Sequence, residues 1–184
     1  MNVRPYEPRD AEDIRRVCRE TCSDEYLLSH DNVLCTKYAD YYTNEEAEHI
    51  FVLADEDDRA QGYILCCTDA RRFVQRWKDE YLGRIRESRL YVLMSLHTMW
   101  EVGMMARKGY AAHLHIDISP AFQRAGGGHR LVEALIGHLK AQGVGGVYLG
   151  CGKENAVGNA FYQKCGFELM TKGIFRNIYT MKTR

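Results

Sequence analysis

The sequence predicts a single α/β (α+β) domain spanning residues 1–184, on three observations. Short continuous apolar runs of strand length are interleaved with amphipathic stretches of helical spacing. Two of those runs, Ile50-Phe51-Val52-Leu53-Ala54 and Gly62-Tyr63-Ile64-Leu65-Cys66-Cys67, are joined by the polar Asp55 to Gln61, the pattern of a hairpin of buried strands. Further on, a strand runs into Gly126-Gly127-Gly128 and straight into a helix. A chain of 184 residues fits one domain, and at that length folding buries roughly 70% of the unfolded surface without disulfide or metal staples.

Each element has its own signal. Residues 2–6 read as a short extended segment leading into Pro5 and Pro8. Asp10 is placed to cap a helix whose apolar positions Ile14, Val17, Cys18 and Cys22 fall at 3.6-residue spacing. From Glu25 to Asn44 the less regular, tyrosine-rich pattern (Tyr26, Tyr38, Tyr41, Tyr42) reads as a second helical element or a mobile segment. After the hairpin, Phe73, Trp77 and Tyr81, then Leu90, Leu93, Met94, His97 and Trp100, predict two helices between residues 69 and 109. Ala112 to Ile118 alternates as a strand and Pro120 stops it. Leu131, Val132, Leu135, Ile136 and Leu139 make an amphipathic helix ended by Gln142-Gly143. Val144 to Leu149 predicts a strand, Ala156 to Lys164 a helix, and Phe167–Met170 and Phe175–Met181 two closing strands.

Composition narrows the function. Twenty-five basic residues balance twenty-five acidic ones, so the net charge is zero. That removes the broad attraction of a dedicated nucleic-acid or membrane-surface binder and leaves only local patches. Seven cysteines (Cys18, Cys22, Cys35, Cys66, Cys67, Cys151, Cys165) are odd in number and lack C-x-x-C spacing, which predicts reduced thiols, mostly in the core. The N-terminus has no apolar signal region and no stretch approaches the roughly 18 residues of a membrane span, so a cytoplasmic setting is expected.

A glycine-rich turn opening a helix is a phosphate site in principle, because its first N–H groups lack intrahelical partners and the helix dipole favours an anion. The segment here is Gln123-Arg124-Ala125-Gly126-Gly127-Gly128-His129. It is not a P-loop, since His129-Arg130 stands where Lys-Ser or Lys-Thr is needed, and Leu131 occupies the third small position of a dinucleotide fingerprint. It does match Q/R-x-x-G-x-G/A through Gln123, Gly126 and Gly128, and so resembles motif A of the GNAT superfamily of acetyl-CoA-dependent N-acetyltransferases. Asn155-x-x-Gly158-x-x-Phe161-Tyr162-x-x-x-Gly166-Phe167 resembles motif B of the same superfamily, with Gly158 in place of its alanine.

The resemblance implies the GNAT fold, a central mixed, mostly antiparallel sheet of about six to seven strands flanked by helices. It implies that acetyl-CoA is held by Ile118 and Ser119 on the strand, by Gln123, Arg124, Ala125, Gly126, Gly127, Gly128 and His129 in the turn, and by Asn155 and Tyr162 beyond it. A narrower likeness lies outside the motifs. Val3-Arg4-Pro5-Tyr6-x-Pro8-x-Asp10, Phe51 to Asp57, Gly62-Tyr63 and Asp117-Ile118 resemble the acetyltransferase-like domain attached to O-linked N-acetylglucosaminidases. Animal members of that group have degraded glycine turns, whereas this chain keeps the full Gln-x-x-Gly-x-Gly.

Acetyl transfer to an amine needs a neutral nucleophile and a proton donor for the departing thiolate. A lysine-like amine with pKa about 10.4 is neutral about once in a few thousand at pH 7, so a base matters. His113, His115 and Asp117 are spaced i, i+2, i+4 on one face of their strand and are the candidate bases, on a face expected to abut the cofactor strand. The stretch Ala112-His113-Leu114-His115 is similar to the corresponding strand of arylalkylamine N-acetyltransferases, in which paired histidines are assigned to proton removal. A packing role for these histidines stays open beside that reading. His-x-His-x-Asp is also a metal-ligand spacing, but the further histidines, His129 and His138, sit in the turn helix, and no metal is assigned. Tyr162 is the general acid that the resemblance implies, and a phenol with pKa near 10 keeps its proton at neutral pH.

The resulting expectation is an acetyl-CoA-dependent N-acetyltransferase acting by direct attack in a ternary complex. The alternative is a catalytically inactive coenzyme A-binding or protein-interaction domain. The acceptor is left open among small amines, amino sugars, protein lysines and protein N-termini. Nucleic-acid and membrane partners are not expected, and a homodimer is a reasonable prior for a small enzyme.

Overall fold

In the computed structural model, which describes residues 1–174 and 176–184, the strands are β1 (Asn2–Pro5), β2 (Phe51–Ala54), β3 (Ala60–Cys67), β4 (Ala112–Ile118), β5 (Gly146–Gly152), β6 (Glu168–Lys172) and β7 (Arg176–Lys182). They form one seven-stranded sheet in the order β1-β2-β3-β4-β5-β7-β6. Every neighbouring pair is antiparallel except β4 and β5. The helices are α1 (Ala11–Thr21), α2 (Glu25–Ser29), α3 (Asp31–Cys35), α4 (Tyr41–Glu45), α5 (Ala70–Arg76), α6 (Leu82–Arg84), α7 (Arg89–Arg107), α8 (Gly127–Ala141) and α9 (Ala156–Lys164). This is the GNAT arrangement expected from the motifs. Phe175, the expected first residue of the last strand, lies outside the described residues.

The two-residue period of the strands divides the core. Val52, Tyr63, Leu65, Cys67, Tyr148 and Ile178 pack with α1 to α7 on one face. Leu53, Ile64, Cys66, Leu114, Val147 and Leu149 pack with Leu131, Leu135 and Leu139 of α8 on the other. The tyrosine-rich segment is one helical stretch in which α3 and α4 are joined by a π turn over Thr36–Asp40. Its buried rings find partners for their polar tips: Tyr41 donates to Glu46 Oε1 at 3.0 Å, and the Tyr42 hydroxyl lies 2.9 Å from His113 Nε2.

Two local expectations are corrected. Asp10 does not cap α1 with its side chain. It lies in a 3₁₀ turn, 1% exposed, where its carboxylate takes a bidentate pair from Arg4 (2.7 and 2.8 Å) and the Glu7 N–H (2.8 Å). A buried carboxylate needs that neutralising partner more than the helix needs a cap. The strand expected from Val144 begins at Gly146. Gly143, at φ +68°, closes α8 as a Schellman motif in which the Val144 N–H bonds Leu139 O (3.0 Å) and Gly143 N–H bonds Lys140 O (3.0 Å). Val144 is therefore committed to the helix end.

All seven cysteines are free thiols, five of them buried. Among the described residues no helix is long and apolar enough to cross a membrane.

Candidate active site at the divergence of two strands

The site originates in a break of pairing. β4 pairs with β3 from Cys67↔His113 to Gly62↔Ile118, but with β5 only at Ala112↔Val147 and His113↔Tyr148. Past His113 the two parallel strands part. The Ser119 N–H bonds Gln61 O at 2.8 Å, which makes Gly62 and Ile118 a non-hydrogen-bonded pair. The peptide groups of Ile118, and of Ile116 two residues earlier, therefore project from the free edge of β4 into the gap.

A cleft of about 890 Å³ occupies that gap, walled by Ile116 to Ile118, the turn from Gln123 to His129, and the inner side of α9 from Asn155 to Lys164. In the turn Gly126 takes φ +78° as N-cap of α8, with open space where a Cβ would stand. Its need for glycine is conformational. At Gly127 and Gly128 the reason is contact: a Cβ would lie 2.5 Å from Leu53 Cδ2 and 3.0 Å from the Phe161 ring, respectively. The first intrahelical bond at this end is Arg130 N–H to Gly126 O (3.3 Å), so the amides of Gly127, Gly128 and His129 precede the ladder. With the positive end of the helix dipole they form an anion cradle next to Arg124.

Three side chains hold this geometry. Gln123 Nε2 donates to Ile118 O at 2.9 Å and ties the turn to the strand. Asn155 caps α9, its Oδ1 accepting from Gly158 N–H at 2.8 Å. A Cβ on residue 158 would lie 2.7 Å from Asn155 Nδ2, so the glycine that departs from the motif's alanine allows Asn155 to fold tightly over the helix start. Asn159, which the sequence reading passed over, donates to Gly152 O (2.8 Å) and Asn155 O (2.7 Å). It accepts from Asn177 (2.8 Å) and the Tyr179 hydroxyl (2.9 Å), fixing α9 against β5 and β7. Its only sequence signal is a polar residue on the inner side of α9.

Tyr162 projects from α9 into the same cleft, supported by the rings of Phe161, Phe167 and Tyr179. Burial, and then the charge of Asp117, holds its phenol well above the usual tyrosine range, so it stays protonated. Ser119, Ala125 and Gly127 do not wall the cleft; Ser119 is buried and held by its amide.

The face of β4 carrying His113, His115 and Asp117 points to the α1–α7 layer, and its three residues have different surroundings. His113 is 5% exposed among Tyr42, Phe73 and Tyr148, and burial pushes its pKa down to about 3. His115 is half-buried between the Tyr38 and Tyr42 rings and is pushed down to about 4 by burial, with Arg176 and Lys37 adding to it. Neither histidine walls the cleft. Asp117 does, and it also borders a second pocket of about 250 Å³ formed by Cys18, Thr21, Asp24, Leu27, Leu34 and Tyr38. Tyr63 donates to Asp117 Oδ2 at 2.8 Å. Burial raises Asp117 to about 6, against the hydrogen bonds of Tyr63 and Thr21, so it is a carboxylate at neutral pH with real proton affinity. At the rim, Asp24 accepts from the Tyr91 hydroxyl (2.5 Å) and the Leu27 N–H (3.2 Å), which hold it below the usual carboxylate range. Tyr63 and Asp24 were not singled out by the sequence, because their partners are distant in the chain.

A cleft with a backbone anion cradle and a smaller pocket thus share one carboxylate, Asp117, in their walls. Residues 12–167 match the model of the Acetyltransferase (GNAT) family, and the chain belongs to that family. This places it in the acetyltransferase class, whose acyl donor is acetyl-CoA.

The crystal structure of SsHAT is similar over 100% of this chain and 98% of its own, with a TM-score of 0.86 and 28% identity. The PaiA N-acetyltransferase from Thermoplasma acidophilum, in complex with coenzyme A, gives a TM-score of 0.64 at 17% identity over 98% of both chains. The Drosophila melanogaster polyamine N-acetyltransferase gives 0.62 at 14% identity, over 98% of this chain and 99% of its own. The last two likenesses show the fold alone. A curated relative, the [ribosomal protein bS18]-alanine N-acetyltransferase of Haemophilus ducreyi, is 32% identical over 71 residues, 39% of this chain. The chain spans about half the length of that relative (48%).

Proposed function

We propose that this chain is an acetyl-CoA-dependent N-acetyltransferase that acetylates a primary amine by direct attack in a ternary complex. The observation that carries the reading is the meeting of the donor cleft and the acceptor pocket at Asp117. The cradle amides fit a pyrophosphate, and the free edge of β4 at Ile116 and Ile118 fits a chain of amides lying alongside it. When bound, acetyl-CoA supplies an acetyl thioester.

An acceptor arriving as ammonium first loses its extra proton to solvent, and Asp117 takes the second proton as the neutral amine attacks, favoured by a pKa raised to about 6. As the amine nitrogen bonds the carbonyl carbon the C–S bond breaks, and Tyr162 donates its proton toward the departing sulfur. Asp117 gives its proton up to solvent, and Tyr162, whose phenol the Asp117 charge keeps protonated, regains one there before the next turnover. The carboxylates of Asp24 and Asp117 favour a cationic acceptor, whose apolar stem meets Leu27, Leu34 and Tyr38. Of the three candidate bases, the reading favours Asp117 over His113 and His115, which burial leaves with little affinity for a proton.

The narrower kinship with the acetyltransferase-like domains of O-linked N-acetylglucosaminidases is part of the proposal. Its N-terminal residues are scaffold: Arg4 clasps Asp10 and Asp58 and so pins β1 to the β2–β3 turn. The intact glycine turn supports turnover over the inactive coenzyme A-binding alternative.

Calorimetry with acetyl-CoA followed by thiol release over a panel of amines tests the reading. Micromolar binding with amine-dependent thiol release is expected. Binding without release for any amine would leave the inactive alternative, and no binding at millimolar acetyl-CoA would remove both.

A further inference from the structure

Helix α7 buries one side and leaves an unusual one in water. Tyr91, Ser95, Met99 and Val102 face the core. On the outer side Leu90, Leu93, Met94, Leu96 and Trp100 are exposed by 63%, 64%, 43%, 44% and 59%. No charged residue stands between Arg89 and Glu101, and Glu101 is itself buried against Arg176. A helix facing water normally carries charge there, and a continuous apolar stripe, unlike scattered single residues, marks a contact surface.

We propose that this face is covered by a second copy of the chain, α7 packing on α7 across a two-fold axis. Area is the first reason. The five side chains present about 450 Å² of apolar surface per copy, and two copies with their polar rim pass the roughly 1,000 Å² expected of a specific interface. Symmetry is the second. An antiparallel two-fold near Leu96 and His97 sets Leu93 of one copy against Trp100 of the other, so the stripe is its own complement. Charge is the third. With 25 basic and 25 acidic residues the net charge is zero, so no overall repulsion opposes the pairing of copies. The pairing also braces the acceptor side, because the inner face of α7 supplies the Tyr91 hydroxyl to Asp24 and Ser95 to Lys37 (3.3 Å).

Sedimentation velocity of the full chain from low to high micromolar concentration tests this. The expected result is a dimer whose dissociation constant rises at least about a hundredfold in the Leu93→Glu, Trp100→Glu double variant. Ile174→Glu, in the β6–β7 turn and 83% exposed, is expected to leave it unchanged. His97→Cys, near the axis, is expected to form an intermolecular disulfide on mild oxidation, which keeps the test decisive if the double variant unfolds. A monomer at every concentration, a dimer untouched by the double variant with no cross-link at His97→Cys, or binding to phosphatidylserine vesicles abolished by that double variant would each overturn the proposal.

Discussion

Under the proposed function, the two faces of the sheet recognise their ligands by different means. On the α8 side the proposed donor cleft is built mainly from backbone, the peptide edge of Ile116 and Ile118 and the start of α8 at Gly128 and His129, with Gly126 and Gly128 carrying no side chain into it. On the α1–α7 side the proposed acceptor pocket is built from side chains, among them Asp24 and Asp117, each aimed by a hydrogen bond from another element. A backbone site depends on local conformation, and it leaves a short, readable pattern. A side-chain site depends on which helices come together, and it leaves almost none.

If the faces divide the labour this way, changes on each should separate binding of acetyl-CoA from use of the amine. The largest effect is expected at the junction. Asp117→Asn should lower kcat/KM by about a thousandfold, at the upper middle of the range for removing a general base, while calorimetry finds the affinity for acetyl-CoA unchanged. In the unmodified chain, log(kcat/KM) should rise with pH through a limb near 6 and level off above it, as the Asp117 carboxyl loses its proton.

The same group has a stability signature of opposite sign. Its folded pKa lies above the unfolded value near 3.8, so its contribution to stability is present at low pH and lost as pH rises through about 6. The Asn variant should thus gain up to about 2 kcal/mol relative to the native chain above pH 7 and little at pH 4, read from denaturant unfolding. A variant that loses activity and stability together at pH 7 would instead mark Asp117 as scaffold.

Next in size is Gly128→Leu, whose side chain meets the Phe161 ring at the cradle. Calorimetry should show acetyl-CoA binding weakened about a hundredfold, a loss of about 2.7 kcal/mol, with the fold intact by circular dichroism. Retained affinity would show that the turn is only a turn. Tyr162→Phe should lower kcat about thirtyfold with little change in acetyl-CoA affinity, as expected for a proton donor acting at the departing sulfur. The smallest effect belongs to Asp24→Asn, at the exposed rim. The amine KM should rise about fivefold to tenfold with kcat held, because the lost interaction is with the bound ammonium in ground and transition state alike. A drop in kcat instead would move Asp24 from recognition into chemistry.

Much of the cleft's lining was marked in the sequence by the two motifs, although Ser119, Ala125 and Gly127 fall outside it. Gln123, Gly126, Gly128, Asn155 and Tyr162 all stand at the cleft where the motifs put them. Even there the reasons for each glycine came from tertiary contacts: Gly127 yields to Leu53 and Gly128 to Phe161, 74 residues upstream and 33 downstream. The His113, His115 and Asp117 stripe shares one face, as its two-residue period required. That period says nothing of what covers the face, and only the docking of the tyrosine-rich helices shuts His113 among aromatic rings and leaves Asp117 open to both cavities.

By itself the sequence determined the α/β class and the order of the strands, because periodicity is a local property of the chain, while the glycine turn and Tyr162 were marked by their resemblance to the family's motifs. The tertiary structure alone decided that β4 and β5 part after His113, that Asp117 borders both cavities, that Asp24 lines the smaller one, and that Asn159 fixes α9 against β5 and β7. Those outcomes depend on partners tens of residues away, Tyr63, Tyr91 and Tyr179, whose approach is set by packing of the whole sheet rather than by any spacing along it.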